Sequence, residues 1–124
     1  MDALGRHLLL ELKGCDRELL DDLNFIRGAI LGAAEEAGAT IVGESFHKFH
    51  PMGVTGLVAI AESHICIHTW PEYGYAAADV FTCGEGFDPR KVAEILIDKL
   101  HCSDPSIREI PRGLLSHLET SAAI

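Results

Sequence analysis

The chain has 124 residues, 48% of them hydrophobic and 23% charged, and carries a formal net charge of -9 at pH 7, which fits one domain built on a single core. That acidic balance excludes a nucleic-acid partner, because phosphate binding needs clustered Lys and Arg, and it favours a cationic or zwitterionic small molecule instead. No apolar run reaches the roughly 18 residues of a membrane span, and no basic region followed by an apolar stretch opens the chain, so a soluble, cytoplasmic protein without a membrane partner is expected.

In chain order, Leu8 to Lys13 reads as a short apolar strand in which Glu11, between Leu10 and Leu12, must sit at an edge or in a pocket. Asp16 is a good N-cap. Apolar Leu19, Leu20, Leu23, Ile26, Ile30, Ala33, Ala34 and Ala37 then recur at helical spacing until Gly38, which predicts one long amphipathic helix laid on a sheet. Ala39 to Phe49 is a second strand, with Thr40, Val42 and Phe46 on one face, and Pro51-Met52-Gly53 supplies the turn after it. The apolar run Gly56 to Ala61 leads into Glu62-Ser63, a polar bend, after which Ile65 and Ile67 point one way and His64, Cys66 and His68 the other. Pro71 to Gly74 is a further turn. Tyr75 to Cys83 resumes the alternation, with Tyr75, Ala77, Asp79, Phe81 and Cys83 on one side and closure at Cys83-Gly84. Asp88-Pro89 opens a second helix through Val92, Ile95, Leu96 and Leu100, and Ser106 to Ile110 forms a last strand; the tail from Pro111 has no assignable pattern.

These elements make an α+β fold: a two-layer sandwich of a mainly antiparallel sheet with two helices on one face, in a single domain over residues 1–124 without repeats or linkers. Cys15, Cys66, Cys83 and Cys102 form no C-x-x-C pair and are expected as free thiols.

Glu62 to Glu72 concentrates nucleophile, acid/base and turn chemistry, and the residue types allow three readings. One is a plain hairpin with an exposed histidine face. Another is a metal site from His64 and His68, but residues four apart on a strand stand about 13 Å apart, too far for one ion about 2 Å from each nitrogen without other ligands. The third is nucleophilic chemistry by Ser63 with His68 and a thiol nearby. Phe49, beside His47 and His50, is most simply a rim residue of the core.

The runs Leu4 to Leu8, Gly38 to Val42, Phe46 to Phe49, Ala61 to His64, Ile67 to Ala77 and Phe81 to Gly84 together resemble the small prokaryotic S-adenosylmethionine decarboxylases, over nearly the whole chain to about residue 100. The resemblance implies a proenzyme that cleaves itself between Glu62 and Ser63 into a β chain, 1–62, and an α chain, 63–124, with Ser63 becoming a covalent pyruvoyl cofactor that condenses with the amine of S-adenosylmethionine. It assigns His68 as the base of the processing elimination and Cys83 as the acid that reprotonates the substrate carbon. Imidazole and thiol, with ordinary pKa values of about 6.5 and 8.5, suit such work near neutrality. Glu72 matches a carboxylate that binds the ribose hydroxyls. Phe49 matches an aromatic contributed across a homodimer interface to the adenine and sulfonium, where a cation over a ring gains its own attraction. Glu11 matches a carboxylate near the site. Thr55 stands where the family has serine, which keeps the hydroxyl but restricts its rotamer. The implied reaction makes the aminopropyl donor for spermidine synthesis, with no metal site assigned. Two other functions compete: decarboxylation of arginine or ornithine by the same pyruvoyl chemistry, and an unprocessed protein that binds and regulates a partner enzyme. Glu72 and Phe49 argue for a nucleoside substrate, and the joint presence of Ser63, His68 and Cys83 argues against the binding protein.

Overall fold

The structure is a computed structural model that describes residues 3–83 and 86–116. Its elements are β1 (Ala3–Lys13), α1 (Arg17–Leu20), α2 (Leu23–Glu36), β2 (Ile41–Lys48), β3 (Val54–Ile60), β4 (Ser63–Trp70), a 3-10 turn (Pro71–Tyr73), β5 (Tyr75–Thr82), α3 (Pro89–Lys99) and β6 (Asp104–Leu114). The six strands form one sheet in the order β2-β3-β4-β5-β1-β6, every described pair antiparallel. The long connection from β1 to β2 carries α1 and α2, that from β5 to β6 carries α3, and α2 packs on α3 over one face of the sheet. This is the expected two-layer α+β sandwich.

Period-two alternation decides which face is which. Leu8, Leu10 and Leu12 of β1, Val54, Val58 and Ile60 of β3, Ile65 and Ile67 of β4, and Ala76, Ala78 and Val80 of β5 are buried beneath the helices. Against them lie Ile26, Ile30, Ala33 and Ala34 of α2 and Val92, Ala93 and Leu96 of α3. At 1.5–3 kcal/mol, roughly, for each large apolar side chain, this layer is the main source of stability. Among the described residues the other face has no helix packed over it, and it carries His64, Cys66 and His68 beside Asp79 and Phe81, as the alternation predicted.

Four expectations need correction. The single long helix is two. The chain turns at Asp21-Asp22, where Asp22 caps α2 by accepting from Phe25 N at 3.0 Å, while Asp21 is drawn away to Gly53 N at 2.8 Å and Lys48 Nζ at 2.8 Å. Two adjacent carboxylates that can each satisfy backbone or ammonium donors outside a helix interior make this a natural break. In β2, the pairing shifts between Ile41 and Gly43, so Val42 falls outside the alternation and is exposed while Phe46 packs against the core. β1 begins at Ala3 rather than Leu8, its first half hidden by Gly5 and Arg6, which do not look like strand formers. β6 runs from Asp104 to Leu114 despite Pro105 and Pro111, because an edge strand needs donors on only one side. Gly84, expected to close β5, and the end of the tail lie outside the described residues.

Candidate active site

β3 and β4 pair from Thr55↔His68 down to Ile60↔Ser63, leaving Ala61 and Glu62 as a two-residue connection. Glu62 has φ 67°, a left-handed conformation that turn chemistry normally gives to glycine or asparagine and that costs a side-chain-bearing residue of order 1–3 kcal/mol. The carbonyl of this strained residue is the acceptor for Cys83, whose Sγ–H donates to Glu62 O at 2.7 Å from just beyond the end of β5. Ser63 follows at once, opposite both Ile60 and Thr82 in the ladder. A strained peptide, a following hydroxyl and a donor on its carbonyl thus stand together. A cleft of about 270 Å³ opens beside them, lined by Thr40, Ile60, Glu62, Thr82 and Phe87 among others.

Sequence reasoning gave Thr82 no role. Its hydroxyl is buried, has no hydrogen-bond partner among the described residues, and lies directly across from Ser63. A threonine near a strand end gives no warning of that.

The remaining predicted residues gather at the other end of the same hairpin. Phe49, Thr55, His68 and Glu72 line one cleft of about 310 Å³ together with Met52 and Trp70. Thr55 Oγ1 and His68 Nδ1 are 3.1 Å apart, so the β-branched hydroxyl reaches the imidazole in its present rotamer. Glu72 stands exposed in the 3-10 turn that follows β4. Phe49 is held at the cleft edge by a built loop: Phe49 N donates to Gly53 O at 2.8 Å, Gly53 adopts φ 114°, and Asp21 accepts from Gly53 N and pairs with Lys48. Those contacts hold the Asp21 carboxyl below its ordinary range, chiefly through the Lys48 hydrogen bond. The peptide His50–Pro51 within the loop is cis. Behind it, Thr69 Oγ1 accepts from Val54 N and donates to Leu20 O, fastening α1 to β3 and β4. Glu11 lies on the same row of the open face, opposite Ala77, which is itself opposite His68. It accepts from Tyr75 Oη at 2.6 Å, and burial together with that carboxylate pushes the phenol up to about 12.

The two groups do not meet within one protomer. Ser63 and His68 are five residues apart on one strand, about 17 Å at 3.4 Å per residue, and an odd separation puts them on opposite faces. The histidine cannot act on the serine of its own chain.

His64 and His68 likewise serve separate partners. Between the two ends, His64 Nε2 and His7 Nε2 both approach Asp79 Oδ2, at 3.1 and 2.9 Å, and the donor atoms of these three residues lie within 4.8 Å of one another, close enough to suggest a metal. Arg112 decides against that reading. Its guanidinium sits 3.0 Å from His7 Nδ1 and can only donate, so Nδ1 accepts and the ring's proton is on Nε2, facing Asp79. A metal would need the opposite arrangement. The cluster is a hydrogen-bond chain from Arg112 through His7 to Asp79, joined there by His64. Nearby, burial and the Asp79 charge push the Cys66 thiol up to about 11, leaving it unreactive near neutrality.

The family model for S-adenosylmethionine decarboxylase matches residues 6–113, and the chain belongs to that family. It is 53% identical over 117 residues to the S-adenosylmethionine decarboxylase proenzyme of Thermodesulfovibrio yellowstonii, covering 94% of this chain and 87% of the relative. With the proenzyme of Moorella thermoacetica it shares 48% identity over 122 residues, 98% of each chain. A crystal structure of the adenosylmethionine decarboxylase of Aquifex aeolicus VF5 superposes with a TM-score of 0.85 at 35% identity, covering 91% of this chain and 93% of that one.

Proposed function

We propose that the protein is a proenzyme that cleaves itself between Glu62 and Ser63 and then decarboxylates S-adenosylmethionine, each reaction centre being assembled from two copies of the chain. The observation that carries this is the Cys83 thiol on the carbonyl of a strained Glu62, immediately before Ser63.

Processing follows from those residues. Ser63 Oγ adds to the Glu62 carbonyl, Cys83 S–H stabilises the developing oxyanion, and collapse with loss of the Ser63 nitrogen exchanges the amide for an ester, a step helped by the strain at Glu62. A base then removes the Ser63 Cα proton. The Glu62 carboxylate leaves by β-elimination, and water converts the resulting dehydroalanine to a pyruvoyl group with release of ammonia. The base is His68 of a second copy, since the chain's own His68 is out of reach. The role needs the tautomer in which Nδ1–H donates to Thr55 Oγ1, 3.1 Å away, and Nε2 carries the lone pair.

The local chemistry fits the group so formed: it would occupy the start of β4, paired to β3 and β5 on both sides, beside the Cys83 thiol. When present, it supplies a carbonyl that condenses with the substrate amine and accepts the electron pair released with carbon dioxide, the electron-sink logic of pyridoxal phosphate. Cys83 then delivers a proton to the substrate α-carbon. Glu72, Phe49 and Glu11 of the second copy serve the nucleoside: the carboxylate takes the ribose hydroxyls, and the ring packs on the adenine and sulfonium. Arginine and ornithine are not favoured, because they leave those groups without partners.

In this reading the two copies pair through their open sheet faces about a two-fold axis. The open face carries exposed Leu57 beside Thr55, Cys66 and His68, and an antiparallel stack of two such faces would bring the Glu62–Ser63 turn of one hairpin, with the exposed Cys83 beside it at the sheet end, toward the His68 end of the other. Such an isologous contact yields two identical centres per dimer.

Intact mass of the purified protein tests the proposal. Residues 1–62 and 63–124 should appear as separate fragments of 62 residues each, the second with a hydroxylamine-reactive carbonyl, and the preparation should release carbon dioxide from S-adenosylmethionine but not from arginine or ornithine. A chain that stays whole after long incubation would overturn the processing step, and equal release from arginine would overturn the substrate.

A further inference from the structure

Two cysteines that the reaction does not use lie just beyond the paired ends of β1 and β6, one in each of the chains that processing would generate. Along β1 and β6 the antiparallel pairing keeps one register from Gly5↔Arg112 to Lys13↔Asp104. It continues one step beyond the strands: Ser103 N and Ser103 Oγ both donate to Gly14 O, at 3.2 and 3.3 Å, and Gly14, at φ 68°, leaves room for the Ser103 side chain. Carried one step further, the same register sets Cys15 opposite Cys102. Directly opposed residues of an antiparallel pair have Cα atoms about 4.5–5.5 Å apart, inside the roughly 4.4–6.8 Å range that a disulfide spans.

The side chains follow the backbone. Cys102 Sγ–H donates to Lys13 O at 3.0 Å and Cys15 Sγ–H donates to Leu12 O at 3.5 Å, so both thiols turn toward the end of β1. Cys15 is a buried member of the core, whereas Cys102 is only partly covered. Asp16 N to Leu100 O at 3.0 Å and Cys15 N to Gly74 O at 2.9 Å hold the surrounding backbone.

From this geometry we infer that Cys15 and Cys102 form a redox-sensitive cross-link that, after cleavage at Glu62-Ser63, covalently joins the two chains. Its joining role rests on the processing proposed above, while the bond itself does not. The oxidant is a low-molecular-weight disulfide. The Cys102 thiolate, the more accessible of the two, attacks one sulfur of the reagent, breaking its S–S bond and expelling one thiolate. Cys15 then loses its proton to solvent and attacks Cys102 Sγ, expelling the reagent's second half as thiolate. Two protein thiols are thereby oxidised by two electrons, and two small thiols are formed. Burial, with the Cys102 thiol beside it, pushes Cys15 up to about 12, so the second step is slow near neutrality and quickens as pH rises. The other two cysteines are not placed to interfere: Cys66 is on the open sheet face and Cys83 at the reaction centre.

The test uses purified processed protein incubated with oxidised glutathione at pH 8.5, alkylated, and divided between a non-reducing denaturing gel and proteolytic peptide mapping. The expected result is a single band at full-chain size that dithiothreitol resolves into two fragments, together with a linked peptide pair containing Cys15 and Cys102. Cys102→Ser should abolish both signals, and Cys66→Ser should leave both unchanged. Cys102 is partly exposed, so its serine variant is expected to fold; Cys102→Ala provides a second check. Mapping also reports the bond in an unprocessed chain, where the gel cannot, so failure of self-cleavage and failure of the cross-link give different results. Alkylation of both Cys15 and Cys102 after prolonged oxidation, or a mapped bond between any other pair, would overturn the inference.

Discussion

In the proposed reaction Cys83 carries two tasks that substitution can separate. Its hydrogen bond to Glu62 O resembles a single oxyanion donor, whose removal elsewhere costs about 100-fold or more in rate. Cys83→Ala is therefore expected to slow fragment appearance by about that factor, measured by timed mass spectra of freshly made protein. Cys83→Ser should restore much of the processing yet turn over poorly, since a hydroxyl is a far weaker acid than a thiol. Equal processing rates in the alanine and native chains would remove the oxyanion role. Glu72→Gln should raise the substrate dissociation constant by about 10-fold with kcat little changed, as expected for a lost charge-assisted hydrogen bond that acts in binding. Thr82→Val replaces a buried, unpartnered hydroxyl with a methyl and is expected to stabilise the fold by about 1 kcal/mol in urea titrations; a loss instead would reveal a partner for the hydroxyl. Ser63, His68, Cys83, Phe49 and Glu72 could be singled out as candidates because they belong to extended runs that resemble a family. Thr82, Trp70 and Met52 were not, because their place in the two clefts depends on cross-strand register and loop geometry that local pattern does not encode.

At the scale of elements, the sheet alternation and the Asp88-Pro89 helix start were plain from period and capping, whereas the break at Asp21-Asp22 was hidden by apolar spacing that ran straight through it. The break has a purpose that only the folded chain makes visible: it frees Asp21 to hold the Phe49–Gly53 loop against β3 and β4. Its carboxyl is held below the ordinary 3.8 by Lys48 and Gly53 N, and Glu109 is held below 4.5 by Arg6, with burial opposing and Arg90 assisting. Groups with lowered folded-state pKa values stabilise fully above their unfolded values and lose that contribution as pH falls through the folded ones. The urea midpoint should accordingly change little from these two groups between pH 7 and about 5.5, then fall below about pH 4.5. Asp21→Asn should lower the midpoint at pH 7 and flatten the acid limb. An unaltered acid limb in that variant would show that the Lys48 pair contributes nothing.

For the whole molecule, strand order has a direct consequence for the processed state. Residues 1–62 supply β1, β2 and β3 and residues 63–124 supply β4, β5 and β6, so β1 of one chain lies between β5 and β6 of the other. Neither half can leave without breaking three ladders, β3 with β4, β5 with β1 and β1 with β6, and exposing the common core, and each is too short to hold a sufficient core alone. The cleaved chains should therefore co-elute under native conditions and separate only on denaturation. The same topology puts the two halves of the reaction centre at opposite ends of one hairpin, a separation invisible to spacing rules that treat Ser63 and His68 as neighbours. The central claim is that a second copy closes that distance, and co-expression of Ser63→Ala with a differently tagged His68→Ala chain tests it most directly. Neither variant should process at a normal rate alone. In the mixed dimer, the intact His68 of the first chain faces the intact Ser63 of the second, and the account predicts that the His68→Ala chain, and only that chain, becomes cleaved. Failure of the His68→Ala chain to be cleaved in mixed dimers isolated through both tags would contradict it.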